Sequence, residues 1–302
     1  MSRRRGTAVA FALLMAALAA AGCGLGPGAD VGSVELTVTR EFGHEAVLQR
    51  SLKAKESDTV MRALEANADI ETRFGGGFVH SIDGVAESER GGDPYDWFFF
   101  VDGVESPVGA ADVELKGDER VWWDYRDWSA ANHVPAVVGS WPAPFTDGVA
   151  GRPHPVVLEC SGDGSACETA RDALGREGVT LATGSPQGAI RMLVGTWDRL
   201  REDPAAQLLE DGPGESGIYA KFDGFGLVAL DENGSSARRF GPEAGLVAAT
   251  SRYGGPPVWL VTGGTVAAVR EAAEALDAAH LRDHYAVAIA GGREMPLPVA
   301  AR

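Results

Sequence analysis

Prolines concentrated between Ser129 and Pro155 restrict what this chain can fold into more than any other feature. The segment contains five of them: Pro135, Pro142, Pro144, Pro153 and Pro155. Proline lacks a backbone N–H and fixes φ, so this density excludes a regular helix and most sheet pairing. We therefore expect residues 129–155 to link two folded parts, packed as an ordered strap through Trp141 and Phe145. Such a strap would place Trp141 over an aromatic face of the first part.

The first 23 residues have the pattern of an export signal. Arginines at positions 3–5 precede an apolar run from Ala8 to Ala21, and Gly22 is followed by Cys23. A positive start, an apolar run of about 14 residues and small residues at its end are typical of signal peptides. The run is shorter than the roughly 20 residues that span a bilayer. The cysteine after the small residues resembles the bacterial lipoprotein box, which implies that Cys23 is diacylated and becomes the new N-terminus. The alternative is an ordinary secretory signal.

The net charge of the chain is consistent with a lipid as the membrane anchor. The formal net charge is −16, and the predicted signal carries three arginines and no acids, so the mature protein is near −19. A surface this acidic repels nucleic acid and anionic headgroups. We therefore expect no nucleic-acid partner. Residues 1–22 are the expected signal peptide and residues 23–33 a lipidated tether, which holds the exported protein on the outer face of the cell membrane.

The two remaining cysteines, Cys160 and Cys167, form an even pair in an oxidising compartment. Six residues separate them, enough for a small loop. We expect a disulfide that closes the turn between a strand and a helix. The alternatives are a metal pair, which lacks further thiols nearby, and a redox couple, which usually has two intervening residues.

Residues 34–128 show strand patterns around one helix. Val34–Arg40 alternates apolar and polar residues, as in a strand with one buried face, and residues 46–52 can return beside it. Asp58 is placed to cap a helix over residues 59–67. Further strands are predicted at residues 97–101 and 120–125. Several strands and one covering helix make an α+β arrangement.

This region resembles the transcobalamin-like C-terminal domain. The matching positions, in order, are Thr59–Leu64, Phe74–Phe78, Ser81–Gly84, Trp97–Gly103, Gly109–Ala111 and Leu115–Asp118. The resemblance covers residues 34–128 and implies a ubiquitin-like β-grasp module used for ligand binding, with cobalamin as one candidate ligand. The chain departs from the vitamin carriers in two respects. It has no segment long enough for their helical barrel, and a phenylalanine replaces their glutamine beside the strand aromatics.

Aromatic side chains are concentrated at residues 95–128, which hold nine of the chain's 23 aromatics. Alternation sends Trp97 and Phe99 to one sheet face and Phe98 and Phe100 to the other. One face must cover the helix, and the other face is either a ligand surface or an interdomain contact. The glycines before Phe78 permit positive φ or close backbone approach, so they form either a turn or a ligand-contacting loop. The candidate ligand-binding residues are Gly75, Gly76, Gly77, Phe78, Trp97, Phe99, Trp122 and Trp123.

Residues 156–302 alternate strand and helix patterns and predict a second, α/β-type domain of no recognised family. A buried strand at residues 156–160 precedes a helix. Another buried strand at residues 258–262 precedes a long alanine-rich helix over residues 265–281. The predicted fold class is therefore α+β, with a β-grasp module joined by a Pro-rich strap to a sheet-and-helix domain.

Catalytic patterns are missing from the sequence. It contains neither a Gly-x-Ser-x-Gly elbow nor a His-Glu-x-x-His helix. His280 and His284 lie four apart but have no third ligand at a useful spacing, so we interpret them as surface histidines. We expect no enzyme activity, no catalytic residue, no metal site and no resident cofactor.

The function predicted from these patterns is capture of a ligand outside the cytoplasm by a membrane-anchored lipoprotein. The ligand would be cobalamin-like or another small molecule, passed to a transporter. The alternative is an envelope adaptor or scaffold that binds a protein or a polysaccharide.

Overall fold

The computed structural model describes residues 28–162 and 164–300. The predicted signal peptide, Cys23 and the first part of the tether lie outside these residues. The fold is mixed α+β with several sheets and more strand than helix, which confirms the predicted class at that level.

The strands, in chain order, are β1 (Asp30–Arg40), β2 (Glu45–Lys55), β3 (Ile70–Arg73), β4 (Phe78–Ile82), β5 (Val85–Ala86), β6 (Ser88–Arg90), β7 (Asp93–Val101), β8 (Val104–Glu105), β9 (Arg120–Asp127), β10 (Val156–Ser161), β11 (Ile190–Thr196), β12 (Ala220–Asp223), β13 (Gly226–Leu230), β14 (Ser236–Arg239), β15 (Gly245–Thr250), β16 (Val258–Gly263), β17 (Ala286–Ala290) and β18 (Arg293–Leu297). The helices are α1 (Val60–Glu65), α2 (Ala143–Thr146), α3 (Gly164–Arg176), α4 (Trp197–Leu200), α5 (Pro213–Ser216), α6 (Val266–Glu274) and α7 (Ala278–Leu281). Two 3₁₀ turns lie at Phe74–Gly76 and Ala206–Leu209.

The first sheet has the strand order β2–β1–β9–β7–β6, and β8 also pairs with β7. Its central pair, β1 and β9, is parallel, whereas the other pairs are antiparallel. Helix α1 covers one face, where its Val60 and Leu64 pack against Val34 and Leu36 of β1. A small second sheet, β3–β4–β5, is formed by the strands that follow α1 in the sequence.

The sequence predicted Asp58 as the cap of helix α1, but the cap in the structure is Thr59. The Thr59 side chain accepts a hydrogen bond from the N–H of Arg62 at 3.2 Å. Asp58 instead accepts from the N–H of Lys55 at 2.9 Å and so closes the preceding turn. The short polar side chain still satisfies a free N–H of the first turn, one residue later than expected.

The third sheet has the order β10–β11–β16–β15–β17–β18. Strands β10, β11 and β16 are parallel, and the rest pair antiparallel. Helices α3 and α6 cover one face, where Leu174 and Val269 pack with Trp259. The opposite face, which includes Leu193 and Leu260, packs with the remaining sheet, β12–β13–β14, and with the first sheet.

The contact between the first and third sheets is aromatic. Phe100 and Trp122 lie on the face of the first sheet opposite α1, and both are buried in one cluster with Tyr285. The centroid of the Tyr285 ring is 5.5 Å from that of Phe100 and 5.3 Å from that of Trp122. The second half of the chain therefore covers the face of the first sheet that helix α1 does not cover.

The linker residues differ from the expectation in two respects. They include the one-turn helix α2 (Ala143–Thr146), which the prolines were expected to exclude; Pro142 precedes it and Pro144 lies in its first turn, where a missing N–H costs no intrahelical hydrogen bond. They also pack elsewhere. Trp141 is fully buried, and its ring centroid lies 5.4 Å from Phe145 and 5.6 Å from Trp259. It therefore belongs to the cluster under α3 and α6 and does not cover the aromatic face of the first sheet. Its carbonyl oxygen accepts a hydrogen bond from Arg120 Nη1 of β9 at 2.9 Å, which ties the linker to the first sheet.

The predicted disulfide is confirmed. Cys160 and Cys167 are bonded and join the end of β10 to α3. Within residues 28–162 and 164–300, no helix has the length and apolarity needed to cross a membrane.

Candidate functional site

The site begins at a gap in the pairing of β7. On its outer side, β7 pairs with β6 over Asp93–Tyr95 and with β8 over Phe100–Val101. The four residues between them, Asp96–Phe99, have no strand partner on that side in the described part of the chain. The gap exists because β6 and β8 are only three and two residues long.

A pocket of about 310 Å³ fills this gap, and we call it the aromatic pocket. Its walls are the open edge of β7, the start of β4, the loop after β8, and one residue of β9. The lining residues are Gly77, Phe78, Val79, Asp96, Trp97, Phe98, Phe99, Glu105, Ser106, Pro107, Val108, Gly109, Ala110 and Trp123. The volume lies at the low end of the range of roughly 300–1,000 Å³ found for small-molecule sites.

Two stacked rings form the inner wall. The centroids of Phe99 and Trp123 are 4.7 Å apart at an interplanar angle of 28°. Trp97 Nε1 donates a hydrogen bond to the carbonyl of Val85 at 2.8 Å. The buried Trp123 Nε1, in contrast, has no acceptor among the described residues. A buried N–H without an acceptor costs free energy.

Residues 74–77, which we call the glycine loop, border the pocket through Gly77. Phe74 has φ 52° and is 88% exposed, and its ring centroid lies 6.1 Å from that of Phe78. Gly109 approaches the loop closely, because a Cβ built there would lie 2.8 Å from the carbonyl oxygen of Gly77. The loop after β8 and the glycine loop thus meet at backbone distance at Gly109 and Gly77, both of which line the pocket.

Two carboxylates contribute to the lining. Asp96 Oδ1 accepts a hydrogen bond from the N–H of Trp97 at 2.7 Å. Glu105 is held more firmly, because its Oε2 accepts from the N–H of Val134 at 2.7 Å and its Oε1 lies 3.0 Å from His133 Nδ1. The hydrogen bond with Glu105 raises the pKa of His133.

Behind Glu105 lies a buried cation. The Arg126 guanidinium is fully buried, and its Nη2 is 3.6 Å from Glu105 Oε2. Its Cζ atom lies 3.8 Å from the centroid of the Phe98 ring, and its Nη1 donates to the carbonyl of Ala131 at 2.6 Å. Glu105, Arg126 and His133 therefore form one charge-compensated group beside the pocket.

A second pocket, of about 350 Å³, lies on the other side of the loop after β8. Residues 105–108 line both pockets. Its further lining includes Val101, Val113, Pro135 and Val149, so it is more apolar than the first and is formed between the two halves of the chain.

Five of the eight candidate ligand-binding residues border the aromatic pocket: Gly77, Phe78, Trp97, Phe99 and Trp123. Gly75 and Gly76 belong to the same loop but do not line it. Trp122 lies on the opposite face of β9, where its Nε1 donates to Thr39 Oγ1 at 2.7 Å and its ring packs against Tyr285. Its environment is thus the contact between the two sheets.

Asp96 and residues 105–110 also line the pocket, and the sequence did not predict them. Asp96 carried a usable signal, because it is the one charged residue in the aromatic run Tyr95–Val101. The loop after β8 carried none, because its position depends on where β8 ends.

The two histidines that lie four positions apart, His280 and His284, have different surroundings. His280 Nδ1 lies 2.9 Å from Asp277 Oδ1, which caps helix α7, and His284 is partly buried with its pKa lowered by burial. Within the described residues, no group of three or more His, Cys, Asp or Glu side chains is placed to hold a metal ion.

Part of the chain is similar to a known protein family. A family described as Domain of unknown function (DUF4430) matches residues 57–127, which include every residue that lines the aromatic pocket. No curated protein matches the chain. A crystal structure of a candidate metal-binding protein from Ruminococcus gnavus is similar at 13% identity and a TM-score of 0.25, covering 32% of this chain and 97% of that one. Over residues 57–127, the chain is thus similar to a family of unknown function.

Proposed function

We propose that this protein is an exported lipoprotein that binds a small molecule in the aromatic pocket. The observation that carries the proposal is the convergence of residues selected from the sequence alone. Five of those eight residues border one pocket, although they come from three separate segments of the chain. A concave site lined mainly by aromatic and apolar side chains with a few polar groups is typical of small-molecule binding.

The arrangement of the first sheet supports a β-grasp module over residues 34–128. Its order, β2–β1–β9–β7, has a parallel central pair and one helix packed on a single face. This arrangement agrees with the transcobalamin-like resemblance, in which the module serves ligand binding. The Pro-rich strap of residues 129–155 then joins it to the sheet-and-helix domain.

The proposed location follows from the N-terminal pattern. Cys23 would carry the lipid, and residues 23–33 would act as the tether on the outer face of the cell membrane. The Cys160–Cys167 disulfide supports an oxidising compartment, because such bonds persist outside the cytosol. A ligand captured there would pass to a transporter.

The pocket volume limits the vitamin version of the proposal. A corrinoid is far larger than a cavity of about 310 Å³, so cobalamin would enter only by one edge or side chain. A compact molecule fits the cavity better. We therefore propose a small molecule as the ligand class, with a cobalamin-like compound as a special case.

The test is ligand screening with a variant that fills the pocket mouth. Tryptophan fluorescence and native mass spectrometry of the soluble protein without its lipid would be run against corrinoids and a panel of small amines, acids and sugars. Val108→Phe narrows the mouth, since Val108 is 50% exposed and lines the pocket. Val47→Phe is the matched control, at a 37% exposed site on β2. We expect at least one ligand, bound about tenfold more weakly by Val108→Phe and normally by Val47→Phe; equal binding by both would refute the pocket as the site.

A second candidate function, an envelope adaptor, is supported by the exposed Phe74. A phenylalanine that is 88% exposed at a left-handed φ is unusual in a surface loop and suits contact with a protein or a polysaccharide. Phe74→Ser should then abolish cross-linking to a large partner in the cell envelope. Unchanged cross-linking would refute the adaptor function through Phe74 and leave small-molecule binding as the remaining candidate.

A further inference from the structure

Asp96 is the anionic side chain in the aromatic pocket that lacks a cationic partner. It forms no ion pair with any basic side chain of the described residues, and its Oδ1 accepts only the neighbouring N–H of Trp97. Arg73, His80 and Glu87 act on it electrostatically. Arg73, however, is already paired with Glu87 at 2.9 Å and lies 2.9 Å from His80 Nε2. The charge of Asp96 is therefore left for another group to balance.

Burial raises the pKa of Asp96, because the partly buried carboxylate loses part of its solvation by water. A cation beside the carboxylate would replace part of the lost solvation and favour the charged form. Glu105, the other carboxylate of the lining, has no such need, because Arg126, His133 and the N–H of Val134 already surround it.

The remaining lining suits a cation that is also partly apolar. Five aromatic side chains border the cavity, and none of its described lining side chains is basic. The five are Phe78, Trp97, Phe98, Phe99 and Trp123. The faces of aromatic rings attract organic cations, most strongly where water is excluded. One such contact already lies beside the pocket, since the Arg126 guanidinium lies 3.8 Å from the ring centroid of the lining residue Phe98.

We propose that the aromatic pocket takes a small organic ammonium ion, with Asp96 balancing its charge and the aromatic rings packing around its alkyl groups. This inference rests on the proposed ligand-binding function and names the chemical class of the ligand. The acidity of the whole chain, with a net charge of −16, favours the approach of such a cation.

The experiment compares two probes of equal shape and different charge. Choline and its neutral carbon isostere, 3,3-dimethyl-1-butanol, would be titrated into the full soluble protein by calorimetry at low ionic strength. We expect choline to bind about tenfold more tightly than the alcohol, the size of a partly desolvated cation–aromatic and charge contribution. Added salt should narrow the difference.

Matched variants locate the effect. Asp96→Asn keeps an oxygen for the N–H of Trp97 and removes the charge, so choline affinity should fall about tenfold with no change for the alcohol. Glu89→Gln removes an exposed carboxylate from neighbouring β6 and should leave both affinities as in the wild type. If Asp96→Asn lowers the melting temperature, Phe78→Leu replaces it as the test variant. This change keeps apolar volume but removes an aromatic ring, so it should lower the affinity for choline and leave the affinity for the alcohol unchanged.

The outcomes separate this inference from the proposed function. Equal affinity of the two probes would overturn the preference for a cation and leave the pocket as a ligand site. Absence of binding by either probe would overturn the ammonium class as well. The proposed function itself would then be decided by the wider ligand panel and the comparison of Val108→Phe with Val47→Phe.

Discussion

The hydroxyl of Tyr285 donates a hydrogen bond to Asp124 Oδ2 at 3.0 Å and so joins two residues that are 161 positions apart. Tyr285 precedes β17 of the third sheet, and Asp124 lies in β9 of the first. Asp124 Oδ1 accepts two further hydrogen bonds, from Thr39 Oγ1 at 2.6 Å and from the N–H of Gly43 at 3.2 Å. Burial raises the pKa of Asp124 to about 6, although these hydrogen bonds act in the opposite direction. The two halves of the chain thus share a satisfied polar network inside an aromatic contact.

Tyr285→Phe should destabilise the fold by about 1–3 kcal/mol, because it leaves a buried oxygen of Asp124 without its donor. Tyr219→Phe is the matched control. Both rings pack edge-on against Phe42, at 5.1 Å for Tyr219 and 5.2 Å for Tyr285. The buried Tyr219 hydroxyl, however, has no partner among the described residues, so its removal should be neutral or stabilising. Urea unfolding checks the pair, and equal midpoints would contradict the network's role.

Gly43→Ala should be among the most damaging small substitutions in the chain. Gly43 has φ 86°, and an added Cβ would collide with the backbone carbonyl oxygen of Asp283. The left-handed backbone alone costs a non-glycine residue about 1–2 kcal/mol, and we expect a total of about 3 kcal/mol or more. Gly75→Ala has a similar φ of 77° with no atom within 4 Å of the new Cβ, so it isolates the backbone cost. Thermal unfolding of the two variants compares them directly, and similar shifts would show that the turn moves freely away from Asp283.

Asp102→Asn should change how stability depends on pH. Asp102 is buried, its Oδ1 accepts the N–H of Arg120 at 2.9 Å, and burial raises its pKa to about 7. The folded state therefore favours the protonated form. That stabilisation is complete below about pH 4, the range in which an unfolded aspartate titrates, and is lost as the pH rises through about 7.

Asparagine keeps the accepting oxygen and tolerates the φ of 51° at this position. Relative to the wild type, Asp102→Asn should be about equally stable near pH 4 and more stable by up to about 4 kcal/mol near pH 8. Asp83→Asn, in an exposed Asp-Gly turn with φ 48°, is the control and should follow the wild type. The measurement is denaturant unfolding from pH 4 to pH 8, and parallel curves for Asp102→Asn and the wild type would disprove the assignment.

Loss of the Cys160–Cys167 disulfide should destabilise the protein by about 2–3 kcal/mol, the chain-entropy value for so short a loop. Cys160 is exposed, so a mild reductant should have the same effect on the wild type as the double change to alanine. The double variant should not respond to reductant. A wild-type melting temperature that reductant leaves unchanged would contradict this prediction.

The sequence predicted the faces of the aromatic strands correctly, because alternation depends only on local geometry. Trp97, Phe99 and Trp123 pack on the side of helix α1, whereas Phe100 and Trp122 pack on the other side. What covers the second face could not be predicted, since Tyr285 reaches it from more than 150 residues away. The same holds for the pocket, which exists because β6 and β8 end before they meet along β7.

The long helix expected over residues 265–281 shows a local limit of the same kind. It divides into α6 (Val266–Glu274) and α7 (Ala278–Leu281), because the Asp277 side chain accepts the N–H groups of Ala279 and His280 and starts a new helix. The alanine-rich pattern hid this second start. A capping residue inside an apolar run is visible in the sequence but ambiguous until the packing of both helices is known.

The segment from Glu105 to Val108 forms a shared wall between two cavities. A displacement of this segment toward one cavity would take space from that cavity, and we expect it to enlarge the other. We therefore expect a molecule in the cavity between the two halves of the chain to change the affinity of the aromatic pocket through this shared segment, without touching the occupant of that pocket.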